Sequence, residues 1–172
     1  MKTKKQEELA NSFLSMLEEE NKSLFQDIIM YLSKLGYNPH MQRSYIVFKH
    51  SLHNKQMAKM GVRKNKDHSP FFELRFSACK GYPQRFENIV YEAVSKKNFR
   101  EAQCIYNNCD YCAGEAFSHV YTHIFTNGEM KSHCGAVTLE IPNITVDDIE
   151  MIKKLIKDEH IYLMEHQAGI TI

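Results

Sequence analysis

Residues 44–77 read SYIVFKHSLHNKQMAKMGVRKNKDHSPFFELRFS. The runs SYIVFKHSL (44–52) and FFELRFS (71–77) are rich in β-branched and aromatic residues. In the second, Phe72, Leu74 and Phe76 fall on one face, and Glu73, Arg75 and Ser77 on the other. That period of two defines strands. QMAKMGV (56–62) reads as a weaker strand between them, with His53 and Asn54 in the connecting turn. The links are too short for parallel crossovers, so two or three antiparallel strands are expected.

On either side of this stretch the period returns to that of helices. Leu9, Phe13, Met16 and Leu17 mark a charged helix over residues 1–20. Leu24, Ile28, Tyr31, Leu32 and Leu35 mark a second, with Ser23 as its cap and Gly36 and Pro39 as its stop. Pro83 opens a third, with Phe86, Ile89, Val90, Ala93 and Val94 on its apolar face. Thr145 and Asp148 form a near relative of the capping box ahead of the last helix, whose stripe is Ile149, Ile152, Leu155, Ile156 and Leu163. Helices flank strands without regular βαβ alternation, which defines α+β: N-terminal helices, antiparallel strands, a Cys-rich hairpin insertion and a C-terminal helix. The expected organisation is one domain, 1–172, with residues 100–135 as a metal-binding insertion. Two small lobes, 1–97 and 104–172, are the alternative.

The insertion holds CIYNNCDYCAGEAFSHVYTHIFTNGEMKSHCG (104–135), with four of the chain's five cysteines. Cys109 and Cys112 form a C-x2-C pair, whose spacing lets two thiolates from one tight turn face one metal ion. Asn127-Gly128 signals a hairpin. If these two residues are the whole turn, Thr126 pairs with Glu129 and Cys134 lies opposite Tyr121. Cys134 then shares a face with His119, Tyr121 and His123, while His133 points away. Cys104, Cys109, Cys112 and Cys134 satisfy a closed tetrahedral Zn²⁺ site, and His123 or His119 is the substitute for the fourth ligand. An open position would instead make a small metalloenzyme, with Glu115 or His123 as base. The spacing Cys104-x4-Cys109-x2-Cys112 also matches plant-type [2Fe–2S] proteins, although the bulky polar IYNN (105–108) suits a cluster loop poorly. A thiol–disulfide role for the C-x2-C pair lacks the helix that ordinarily follows such a motif. Against all of these stands the reading of cysteine as a small buried apolar residue.

Cys109-x2-Cys112, a turn-containing interval, Cys134-Gly135 and PNITVDDIEMIKKLI (142–156) together resemble a group of uncharacterised bacterial proteins of similar size. The resemblance covers the second half of the chain. It implies metal binding and a small bacterial protein, and supplies no activity. Those relatives place their additional cysteine closer to the C-x2-C than Cys104 lies.

Composition sets the remaining bounds. Apolar residues make up 43% of the chain and charged residues 25%, as in ordinary globular proteins. The net charge of +1 creates no global basic field for nucleic acid. KQMAKMGVRKNK (55–66) is locally basic without an acid and reads as a solvated hairpin end. No run approaches a membrane span, and the N-terminus has no signal-peptide core, so a cytoplasmic, reducing setting is expected. Clustered cysteines there are metal ligands or catalytic thiols more often than disulfides. Cys79 reads as a core or edge thiol. His40, His50, His53 and His68 read as turn histidines, with a metal or proton-relay site as the rival; His160 and His166 are too far apart for an i,i+4 pair. The aromatics Tyr45, Phe48, Phe71, Phe72 and Phe76 read as core, though a small-molecule pocket uses the same residue types. No partner, small molecule or protein, is named by these residues.

Overall fold

The computed structural model describes residues 1, 3–64, 68–75, 83–106 and 120–165, with Tyr121 described by its backbone alone. Helices α1 (Lys4–Leu14) and α2 (Glu19–Lys34) lead into four strands: β1 (Tyr37–Gln42), β2 (Tyr45–His50), β3 (Gln56–Val62) and β4 (Pro70–Leu74). Helix α3 (Gln84–Ser95) and a 3-10 turn (Gln103–Tyr106) follow. Then come β5 (Val120–Ile124), β6 (Met130–Cys134), β7 (Leu139–Glu140) and α4 (Ile149–Glu165). The protein is α+β, with a five-stranded antiparallel sheet ordered β1-β2-β3-β4-β7 and a separate β5–β6 pair.

The expected strand alternation is realised in β2, β3 and β4. Phe48 pairs with Ala58, Ile46 with Met60, and Met60 with Phe72, which puts one apolar face across three strands. Helices α1, α2 and α4 cover that face. Ile28, Leu32, Phe48, Met60, Phe72, Leu74, Ile152 and Ile156 are fully buried there. Burying a side chain of this size stabilises the fold by about 1.5–3 kcal/mol before conformational entropy is subtracted.

Four local expectations need correction. First, Pro39 does not stop the chain after α2; it lies in β1, opposite Phe48. That strand is an edge of the sheet, where proline's missing N–H costs no ladder bond. Second, α2 begins at Glu19, so Ser23 is inside the helix and caps nothing. Third, the basic stretch 55–66 is not simply a solvated hairpin end: its residues 56–62 form the expected strand, which is central in the sheet and pairs with β2 across an irregularity at Phe48 and Lys49. Lys59 lies 2.6 Å from Glu73 and over the Tyr45 ring, and Arg63 pairs with Glu140, so two of the cations of this stretch are engaged by carboxylates. Fourth, AVTLEI (136–141), whose alternation of Val137, Leu139 and Ile141 suggests an extension of the hairpin's second strand, does not prolong β6. The chain turns after Cys134 and crosses to the main sheet, where Leu139 and Glu140 pair with Leu74 and Glu73.

Other signals were realised directly. Thr145 and Asp148 form a reciprocal capping box, and the 3-10 turn it opens leads directly into α4. Gly36, at φ +89, ends α2 in the left-handed conformation that only glycine adopts cheaply. Among the described residues, no helix is long and apolar enough to cross a membrane.

Candidate metal centre

The cysteine segment is organised around the β5–β6 hairpin. Its turn is one residue longer than the Asn-Gly signal implies. The Phe125 amide donates to the Glu129 carbonyl at 2.8 Å and the Gly128 amide to the Phe125 carbonyl at 2.9 Å, enclosing a three-residue loop, 126–128. Gly128 takes φ +82, and Asn127 uses its side-chain oxygen to accept the Glu129 amide at 3.0 Å. A turn closed by a left-handed glycine is the usual form of a three-residue hairpin loop.

That extra residue moves the register by one. Cys134 pairs with Val120, His133 with Tyr121, and His123 with Lys131. Since paired residues share a face, Cys134 lies with Val120, Thr122 and Ile124, and His123 lies on the opposite face with His133. The expected juxtaposition of His123 and Cys134 is therefore corrected. His123 packs edge-on against Phe125 and Tyr91, with ring centres 4.7 and 5.7 Å apart. His133 is buried and donates its Nε2–H to the Val137 carbonyl at 2.9 Å. Burial pushes its pKa down, and the bond to Val137 only partly opposes that.

The 3-10 turn carrying Cys104 is fastened to the same hairpin. The Ala102 amide donates to the Ser132 carbonyl at 2.8 Å, and Glu101 accepts the Ser132 amide at 3.4 Å. Cys104 and Cys134 each stand two residues beyond this junction, and both are half-buried. The intervening chain leaves at Tyr106, two residues after Cys104, and returns at Val120, directly opposite Cys134. Paired strand residues have Cα atoms about 4.5–5.5 Å apart. Both ends of the connection bearing Cys109 and Cys112 are thus held beside a cysteine. Cys109, Cys112, His119 and Glu115 themselves lie outside the described residues, as do Cys79, Phe76, Ser77 and His166. Among the described residues, no group of three or more His, Cys, Asp or Glu side chains is placed to hold a metal ion.

A second cluster was not assembled from the sequence. His40 and His68 are exposed, although His40 lies in strand β1 and not in a turn; His50 closes β2 and is buried, and His53 is half-buried. Their rings stack at 4.2 Å with an interplanar angle of 16°. His160 of α4 approaches His50 at 5.5 Å and hydrogen-bonds the hydroxyl of Tyr37 through Nδ1 at 3.2 Å. Next to them, Arg75 Nε donates to Glu159 Oε1 at 2.7 Å, with both side chains almost fully buried. Burial, and secondarily the Glu159 charge, raises the Tyr37 pKa above the ordinary phenol range. Burial pushes His53 down to about 4, with His50, Lys55, His160 and Arg75 adding to the shift. The helical stripe of α4 gave a signal for Leu163 and Ile156, but nothing in sequence paired His160 with Tyr37.

No protein-family model, curated protein or solved structure matches the chain.

Proposed function

We propose that this chain is a cytoplasmic metal-binding protein in which Cys104, Cys109, Cys112 and Cys134 hold a structural Zn²⁺. One observation carries the reading: the connection containing the C-x2-C pair starts beside Cys104 and ends opposite Cys134. The reading requires the thiols of that connection to reach the two cysteines at its base. The donor set fits the ion, because four thiolates suit a closed tetrahedral zinc site. The surroundings favour a structural role. Among the described residues from 95 to 134, Ala102 is the sole fully buried apolar side chain, so this segment needs a source of order other than a core. With His123 on the far face of the hairpin, Cys104 is the better fourth ligand. Bound zinc would supply folding free energy here, and no reaction is assigned to it.

The test is elemental analysis of the full chain prepared under reducing, oxygen-free conditions. About one zinc per chain is expected, as for a single tetrahedral site. Cys109→Ser and Cys134→Ser should each lose the metal, and chelation should strip hydrogen-exchange protection from β5–β6 while sparing β2–β4. A metal-free protein whose thiols all react with a thiol reagent at the same rate before and after zinc addition overturns the proposal. A brown protein with visible charge-transfer absorption would replace zinc by an iron–sulfur cluster.

A further inference from the structure

The Tyr37, His50, His53 and His160 cluster joins three parts of the chain that are distant in sequence. Tyr37 opens β1 beneath the end of α2, His50 closes β2, His53 lies in the β2–β3 turn, and His160 lies on α4. Its hydrogen bonds determine where the protons sit. His50 Nδ1 accepts the Leu52 amide at 3.3 Å, and His53 Nδ1 accepts the Lys55 amide at 3.1 Å. Each ring is therefore neutral with its proton on Nε2. Neutral metal ligation through those Nε2 atoms would need the opposite tautomer, so these two rings are not built as ligands.

Adding a proton to either ring places an N–H where a backbone N–H already points. It forfeits that hydrogen bond and charges one member of a stacked pair. Among the described residues, the neighbouring charged groups offer little relief. Lys55 in the same turn and Arg75 at the end of β4 are both cationic and both oppose an imidazolium at His53. Glu159, the acid nearest on α4, is held by Arg75. Tyr162, also on α4, is neutral at physiological pH, its pKa raised by burial. His53 Nε2 is itself buried with no hydrogen-bond partner, and the His50 Nε2 sits so close to Gly36 that a Cβ there would approach it to 2.9 Å.

We infer that this cluster is an acid-sensitive clasp, which holds α4 against the β1–β2 end of the sheet while its histidines are neutral and releases the C-terminal half of that helix when they are protonated. The sign follows from linkage. Burial lowers the pKa of His53 and of His160 in the folded state, so the unfolded or opened chain binds more protons in acid. The clasp is at full strength above the ordinary histidine value of about 6.5. It weakens as pH falls from there toward about 4, the value for His53, and changes little below.

Hydrogen exchange on the full chain tests the clasp, with protection factors compared between residues 155–165 and β3 from pH 8 to pH 4.5. The expected result is a loss of protection in α4 of about tenfold or more below pH 6, while β3 stays protected; tenfold corresponds to one pKa-unit of coupling. Because thiolate sites also release metal in acid, the series is run with and without chelator, and the α4 transition should be the same in both. His53→Asn combined with His160→Asn keeps a side-chain acceptor at each position and should flatten the profile. Tyr37→Phe should move the transition to higher pH. Should the double variant not fold, the histidine resonances of the unaltered protein decide: two or more must titrate below pH 6 together with α4 opening. Ordinary titration near 6.5 with α4 protection unchanged, or an α4 transition that survives in the folded double variant, overturns the clasp.

Discussion

In the main sheet, β2, β3 and β4 bury Ile46, Val47, Phe48, Met57, Met60, Phe72 and Leu74, all at 3% exposure or less. In the β5–β6 hairpin, the buried side chains among the described residues are Ser132 and His133, while Ile124 and Met130 are 67% and 63% exposed. The two regions thus hold together by different means. The first is a core sealed by three helices. The second is a set of polar fastenings: Thr122 to Ser132 at 3.0 Å, His133 to Val137, and Ala102 to Ser132. Net contributions from such hydrogen bonds are about 0.5–1.5 kcal/mol each, so they position a segment better than they stabilise it. The arrangement teaches where a metal would matter: in the hairpin, and hardly at all in the sheet.

Substitutions can break this contrast. The largest losses should come from the sheet side. Phe48→Ala should destabilise by about 3–5 kcal/mol through lost burial and the cavity left behind. Arg75→Ala should cost a similar ~3–5 kcal/mol, because it breaks an ion pair buried between β4 and α4 and takes the guanidinium away from the Glu159 carboxylate. Urea denaturation followed by far-ultraviolet circular dichroism reads both. A loss below 1 kcal/mol in either would mean the helices do not seal this face. An intermediate effect of about 1 kcal/mol is expected for Thr145→Ala, which removes one half of the capping box before α4. The smallest belongs to the hairpin: Ile124→Ala should change global stability by no more than about 0.5 kcal/mol. If it instead matched Phe48→Ala, the hairpin would have a core of its own and the contrast would collapse.

Much of the sheet side was legible in the residues. Alternation in 71–74, the stripe of α4 and the Thr145–Asp148 pair are local signals, and local structure obeys them. Pro39 misled because the same residue that ends a helix also suits an edge strand, and which edge is free depends on the whole sheet. The hairpin misled for a subtler reason. Asn127-Gly128 correctly marks the bend, yet loop length turns on which residues take positive φ, and here Gly128 does while Asn127 does not. A single residue of register then reversed the faces of His123 and Cys134. The Tyr37–His160 contact was out of reach of any pattern, since 123 positions separate its partners. The Ala102–Ser132 junction, which ties the turn bearing Cys104 to the hairpin bearing Cys134, was equally out of reach, being a backbone bond between loop and strand.

The pairing of β4 with β7 has a consequence for the chain as it is made. Strands β1 to β4 form a meander of near neighbours, able to assemble as soon as they leave the ribosome. The outer edge of β4 waits for Leu139 and Glu140, which are synthesised more than sixty residues later. Throughout that interval Phe72 and Leu74 border a strand with unsatisfied amides, and such a nascent edge invites pairing with a neighbouring chain.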